Sequence, residues 1–419
     1  MRSGDFGINI QIGWRNLWRN PRRTLIILTA IVVGIISMIV LSAFGRGMME
    51  GMVKNSIDNL VGHIKIQDPQ YRVDPDIDNR IDRVQLVARH IEDLLPDDAQ
   101  MAQRLRLEGL LSTSRDHAGI TIVGIEPEKE AGVSFIGRPV YSGQALDQDD
   151  DHGLLIGQSL LEKLGLELGK KVVLMSQDEN GEGRSKAFRI RGSYRTEIRD
   201  TEKRYIFVNL KTFQDMIGAH ESVTEIGISL GQSNTYRTGV IEDLVSKINQ
   251  RLAQEKIEAT GWRQLLPAIS AYIEMFDVYM LIWFVVVFIA MGFGLANTVL
   301  MAVYERMREF GLQRALGMRS AGIVKIVLIE VLLLLLIGMA VADFFSIFLV
   351  KVIFRSGIDL GLFGAGIEMW GISRVVYPLL SFNDIAMANG VVVILGLLVG
   401  LYPALQAARF TPVETMRHL

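Results

Sequence analysis

The chain contains no cysteine, which excludes a disulfide framework, a thiolate zinc cluster and a thiol nucleophile. It also lacks a dominant charge. Lys and Arg number 44 against 46 Asp and Glu, a net charge of −2, without the basic excess of a dedicated nucleic-acid binder. Histidine is scarce, and His63, His90, His117, His152, His220 and His418 lie scattered with neither HExxH nor any other ligand spacing. Serines occur without a GxSxG elbow. The stretch from Gly165 to Lys170 has the wrong spacing for GxxxxGK[ST] and reads as a turn between a helix and a strand. The acidic run from Asp147 to His152 lacks the glycine and closing glutamate of a Ca²⁺ loop and reads as a solvated turn. No nucleotide-hydrolysing module is found in these 419 residues, so any use of ATP falls to a separate chain.

Apolar residues are abundant. They make up 49% of the chain and raise its mean hydropathy to +0.28, which excludes a disordered polypeptide. They are gathered in four blocks. Residues 24–44, 278–303 and 385–408 carry no charge, and 326–350 carries only Glu330 and Asp343. A bilayer core about 30 Å thick needs roughly 20 apolar helical residues, so each block is long enough to span it. A cleaved secretory signal is a poor reading of the first block. Its apolar run exceeds an h-region, and no small-x-small site follows. Arginines flank the blocks unevenly: Arg2, Arg15, Arg19, Arg22 and Arg23 precede the first, Arg306, Arg308, Arg314 and Arg319 separate the second from the third, and Arg409 and Arg417 follow the fourth. The positive-inside rule places both termini and the second loop in the cytoplasm, and the stretch from 45 to 277 outside. The expected order is a cytoplasmic entry helix (1–23), spans at 24–44, 278–303, 323–350 and 385–408, an external domain at 45–277, a cytoplasmic loop at 304–322, an outer loop at 351–384 and a tail at 409–419.

The stretch between the first two spans is large enough for one or two folded domains. Alternation predicts strands at 61–66 and 119–125, and two stretches flanking a hairpin turn predict strands at 171–175 and 187–192. Further strands are expected at 205–209 and 225–230, and helices at 80–95, 158–164, 210–217 and 238–254. The turn at 178–183 carries hairpin chemistry. Interleaved strands and helices point to α+β layers rather than a barrel. The fold class is therefore a membrane protein of four transmembrane α-helices with a large α+β extracytoplasmic domain inserted between helices 1 and 2.

Several side chains bear on function. Phe44, Met48, Met49 and Met52 end the first span, and Met275, Phe276, Tyr279 and Trp283 begin the second. Met and aromatic side chains adapt to varied apolar ligands such as acyl chains, so these residues form a candidate substrate entry. The plainer alternative is lipid-facing interfacial residues. Gly396 and Gly400 form a GxxxG beside Pro403, which permits close helix approach within one subunit or between two. Glu330 and Asp343 are costly in lipid; snorkelling is expected, with pairing inside the bundle as the alternative. After the second span, helix is expected to continue through 304–308, and Gly311 and Gly317 to bracket a short helix over 312–316.

That loop, E-R-x-R-E-F-G-x-x-R-A-L-G from Glu305 to Gly317, resembles the coupling-loop signature of ABC-transporter permeases of the MacB, LolC/LolE and FtsX type. The closing stretch, G-x-x-P-A-x-x-A-A-x-x-x-P-x-E-x-x-R from Gly400 to Arg417, and the opening W-R-N-L-W-R-N-P-R-R-T from Trp14 to Thr24 are similar to the same family. The resemblance implies a non-catalytic permease working as a dimer, with a second copy or paralogue, on a cytoplasmic ATPase dimer. ATP and Mg²⁺ would be bound by that partner alone. It implies that Glu305, Arg306, Arg308, Glu309, Gly311, Leu312, Arg314, Ala315, Leu316 and Gly317 dock on the ATPase. It further implies mechanotransmission, in which ATP-driven closure is passed to the external domain of a multi-pass protein of the bacterial inner membrane. Within the family, lipoprotein release to a periplasmic carrier is the first reading. Efflux of peptides, toxins or macrolide-like molecules through an adaptor is the second, and regulation of cell-wall hydrolases the third. The tight turn at 178–183 leaves no extended hook for a carrier. No nucleic-acid partner is implied.

Overall fold

The structure is a computed structural model that describes residues 4–114, 116–231, 238–361 and 373–409. The chain divides into two compact units, one of residues 1–49, 273–359 and 375–419, the other of residues 50–272 and 360–374.

The first unit is helical. A short helix α1 (Gly4–Leu17) turns into the long α2 (Pro21–Ser56), whose last residues belong to the second unit. The second unit contributes α3 (Val84–Glu92), α4 (Gln158–Lys163), α5 (Leu210–Ile217) and α6 (Thr238–Arg251). The helical unit resumes with α7 (Pro267–Glu305), α8 (Met307–Ala315), α9 (Ser320–Phe348) and α10 (Phe382–Arg409). Four helices among the described residues, α2, α7, α9 and α10, are long and apolar enough to cross a membrane. They are apolar all round, as helices are that face a core on one side and lipid on the other. Ile31, Ile35, Met38, Phe284, Phe288, Val331, Leu335, Val392 and Ala404 fill the shared core. Ile26, Val286, Ile289, Phe293, Phe344, Ile394 and Leu398 point outward, an apolar surface that water would not tolerate. The glycines at 292 and 294 do not interrupt α7, which stays helical through both.

The second unit is α+β, inserted after the first long helix. Its strands are β1 (Ile64–Gln67), β2 (Gln100–Ser112), β3 (His117–Ile125), β4 (Ser142–Gly143), β5 (Gly153–Gly157), β6 (Lys171–Gln177), β7 (Gly183–Tyr194), β8 (Tyr205–Asn209), β9 (Glu225–Ser229) and β10 (Glu258–Gly261). The strand order is β10-β1-β9-β2-β3-β8-β5-β7-β4, and β6 pairs with both β2 and β7. The pairings therefore close a ring, β2-β3-β8-β5-β7-β6, where the interleaved pattern pointed to α+β layers rather than a barrel. The reason is β2. Its first half pairs with β9 and its last residues with β6, so one long strand serves both an open wing and a closed ring. The predicted strands at 205–209 and 225–230 correspond to β8 and β9, but β2, β5 and β10 gave no clean alternation. The β6–β7 turn is tight: the Asp178 carboxylate accepts the N–H groups of Asn180 and Glu182, each at 2.9 Å, and the Arg184 Nε–H at 2.8 Å.

An aromatic cluster of Phe135, Tyr194 and Phe207, with ring centroids 5.2–5.7 Å apart, fills one part of this unit. A second buried feature is ionic. Arg104 on β2 is fully buried, with its guanidinium against Glu130 at 2.7 Å, Glu225 at 3.1 Å and the Leu60 carbonyl at 2.6 Å. Lys65 Nζ reaches the second oxygen of Glu225 at 2.7 Å. Burial raises the Glu225 carboxyl, but Lys65 and Arg104 outweigh it and hold it down at about 2. Leu60, whose carbonyl Arg104 grips, sits in a left-handed conformation (φ 69°) where the chain leaves α2 and enters β1.

Candidate functional site: the pole of the helical unit around α8

The helix α7 ends at Glu305, and α8 begins at Met307. The single residue Arg306 leaves helical geometry (φ −103°, ψ 14°). The expectation of continuous helix through 304–308 followed by a short helix at 312–316 is thus corrected: the break lies at 306, α8 spans Met307–Ala315, and Gly311 lies inside it. Gly317, at φ +97°, ends the segment in a conformation that L residues rarely adopt.

The ten residues named for docking fall on two faces. One face is bound to the bundle. Phe310 and Gly311 are buried, Arg306 Nη1 donates to Glu330 at 2.9 Å, and Arg306 lies over the Phe310 ring at 5.2 Å. Glu309 pairs with Arg19 and Glu305 with Arg23, both arginines coming from the turn that joins α1 to α2 and the start of α2. Burial raises the Glu309 carboxyl, yet Arg19 and Arg306 outweigh it and hold it below its ordinary range. Arg314 Nη1 caps the Ala408 carbonyl of α10 at 2.6 Å. The other face is open. Arg308, Leu312, Ala315 and Leu316 are exposed, and their i, i+4, i+7, i+8 spacing makes one stripe. Leu312 and Leu316 are 63% and 80% exposed, large apolar side chains presented outward on a charged pole. A cavity of about 230 Å³ lies behind α8, lined by Arg19, Arg23, Glu305, Arg306, Glu309 and Glu330.

Glu330 therefore does not snorkel; Arg306 meets its carboxylate inside the bundle. Asp343 likewise accepts from Asn389 Nδ2 at 2.9 Å. Gly396 and Gly400 face α9: a Cβ at 396 would come within 2.5 Å of Leu335 and one at 400 within 3.1 Å of Val331. The GxxxG thus packs inside one subunit, with Pro403 buried beside it.

The candidate substrate-entry residues are split rather than gathered. Met275, Tyr279 and Trp283 form an exposed stripe of α7, each close to half exposed, whereas Phe276 is buried beneath Arg46. Phe44, Met48 and Met49 are half-buried on α2, and Met52 is buried within the second unit. Sequence reasoning missed the cluster beside them. Arg46 clamps Asp384 of α10 (2.8 and 2.5 Å) and Asp277 of α7 (3.0 Å), tying three helices together. It also missed Arg19 and Arg23 as struts, reading them only as flanking charge; their spacing from Glu305 and Glu309 is too long for any local pattern to reveal. Asp147 and His152 sit in a turn pinned by Asn209 and Arg191, and no metal-holding cluster occurs among the described residues. Pro412, Glu414 and Arg417 of the closing motif lie outside the described residues.

These features define a multi-pass membrane protein with a folded domain inserted after its first span. Residues 24–250 match the MacB-like periplasmic core domain, and residues 281–412 match the FtsX-like permease C-terminal region. The lipoprotein-releasing system transmembrane protein LolC of Xylella fastidiosa (strain 9a5c) is 23% identical, over 77% of this chain and 78% of that protein. The macrolide export ATP-binding/permease protein MacB 1 of Yersinia pestis bv. Antiqua (strain Antiqua) is 25% identical over 42% of this chain and 24% of its own. The crystal structure of the periplasmic region of MacB from Actinobacillus actinomycetemcomitans aligns with a TM-score of 0.36 at 12% identity, over 52% of this chain and 97% of that one. The chain belongs to the family of ABC-transporter permeases of MacB/LolC/FtsX type.

Proposed function

We propose that this permease couples a cytoplasmic ABC ATPase to its inserted domain and releases lipoproteins from the outer leaflet of a bacterial inner membrane. The observation that carries the reading is the extent of the LolC match, which covers 77% of this chain and 78% of that protein. On this reading the α8 pole is cytoplasmic and both termini lie with it. The open stripe of Arg308, Leu312, Ala315 and Leu316 enters a groove on the ATPase, which binds the ATP and Mg²⁺. The opposite face of α8 passes the stroke to α7 and, through Arg19 and Arg23, to α2, the two helices that flank the inserted domain in sequence. A second copy or paralogue completes the dimer. The half-exposed stripe of Met275, Tyr279 and Trp283 offers adaptable apolar contact to an acyl chain. The test is release of an acylated lipoprotein from proteoliposomes holding the permease and its ATPase. ATP-dependent release supports the reading, and retention of every acylated cargo overturns it. The MacB-like core domain supports a second reading, efflux through a periplasmic adaptor, which predicts ATP-dependent transport of a peptide or macrolide and no lipoprotein release.

A further inference from the structure

The break at Arg306 has no local cause. Sharp helix breaks arise at proline, at glycine or serine pairs, at π-bulges or where a side chain is drawn into the ladder. Residues 303–309 read V-Y-E-R-M-R-E, without glycine, proline or serine. Glu, Arg and Met are strong helix formers, so this segment by itself favours running α7 straight into α8. Only tertiary contacts oppose that preference. Arg306 is drawn to Glu330 on α9, some ten residues into that helix, and stacks on Phe310. Glu305 and Glu309, on either side of the break, are held by Arg23 and Arg19. A carboxylate at that depth in a membrane helix needs a cation, and the one it finds is the residue at which the helix breaks.

We infer that Arg306 and Glu330 are a positioning pair that holds the α7–α8 bend against a helical preference for straightness, so that the bend is a two-state element. This rests on α8 being the face an ATPase engages, because the pair then sets how the open stripe is presented. The bent state is kept by ion pairs and the straight state by backbone hydrogen bonds, so a force on α8 exchanges one for the other.

The cysteine-free chain allows a clean test on the permease alone, in nanodiscs. Met301 and Leu312, exposed on either side of the break, are replaced by spin-labelled cysteines. A continuous helix would separate their Cα atoms by about 16 Å along its axis. The wild-type background should give one narrow distribution shorter than the straight-helix value. Glu330→Gln should add a longer population, and Glu330→Asp and the swap Arg306→Glu with Glu330→Arg should restore the short one. Arg306→Gln probes the same pair from the other side if Glu330→Gln does not yield monodisperse protein. Unchanged distributions in both Gln variants overturn the inference, as does a swap that behaves like the single variants. The measurement needs no ATPase, so it can fail while docking holds. Conversely, a shifting bend combined with ATPase association that survives changes at Leu312 and Leu316 would sink the docking reading alone.

Discussion

Arg104→Met asks the most of the inserted domain. The side chain is fully buried and touches two carboxylates and one carbonyl. Methionine fills much of the same volume but removes the one guanidinium that bridges Glu130 and Glu225, leaving Lys65 and Arg106 to compensate Glu225 alone. Removing one partner of a buried ion pair costs about 3–5 kcal/mol, because the other charge stays buried and uncompensated. The Leu60 carbonyl loses its donor as well, which adds about 1–3 kcal/mol. In a domain of this size each kcal/mol moves the melting temperature by about 2–4 °C, so the transition should fall by about 8 °C or more. Arg104→Lys should also destabilise, since one ammonium cannot reach both carboxylates and the carbonyl in the way a planar fork does. The assay is thermal unfolding of the full chain in detergent at one fixed scan rate, with limited proteolysis near Leu60 as an independent readout. A shift under about 2 °C for Arg104→Met, with Leu60 still protected, would refute the claim that this network holds the junction between α2 and β1.

Glu225 predicts an acid limb. Its carboxyl is held near 2 in the folded state, against an ordinary value near 4.5, so its contribution is complete above 4.5 and is lost as pH falls toward 2. That gap is worth about 3 kcal/mol, and Glu225→Gln should flatten the loss of stability over that interval in an acid titration of unfolding. Leu312→Asp with Leu316→Asp should abolish co-purification of the ATPase while leaving the melting temperature unchanged, because both side chains are open to solvent; retained co-purification counts against docking there. Gly396→Leu drives a side chain into the buried Leu335 and should destabilise the helical unit by about 1–3 kcal/mol without changing oligomeric state, checked by thermal unfolding and native mass.

Much of this protein was legible without coordinates. The four apolar blocks are long, and a bilayer imposes a length that soluble helices do not need, so α2, α7, α9 and α10 could be read from long apolar runs with at most two charges. Alternation located the 187–192 stretch of β7 for the same kind of reason: Phe188 and Ile190 are buried, Arg189 and Arg191 are exposed, and a half-buried strand must repeat with period two. The β2 strand escaped because its interior positions hold the polar residues Gln103 and Arg104, and Arg104 is buried only because β9 and the helix at 127–130 bring carboxylates to meet it. The closed ring escaped too, since nothing local in β6 says that it will pair with β2.

The loop motif marked the functional pole, but its residues do not act alike. Composition placed charged and apolar side chains at 305–317, and tertiary contact decided which face each would serve. Arg306, Glu309 and Arg314 became struts because Glu330, Arg19 and the Ala408 carbonyl were there to receive them. Leu312 and Leu316 stayed open because none of the described residues covers them. Helical spans follow from the free energy of placing twenty residues in lipid, a sum over neighbours in sequence. The bend at Arg306 follows from one carboxylate on another helix, and no sum over neighbours contains it.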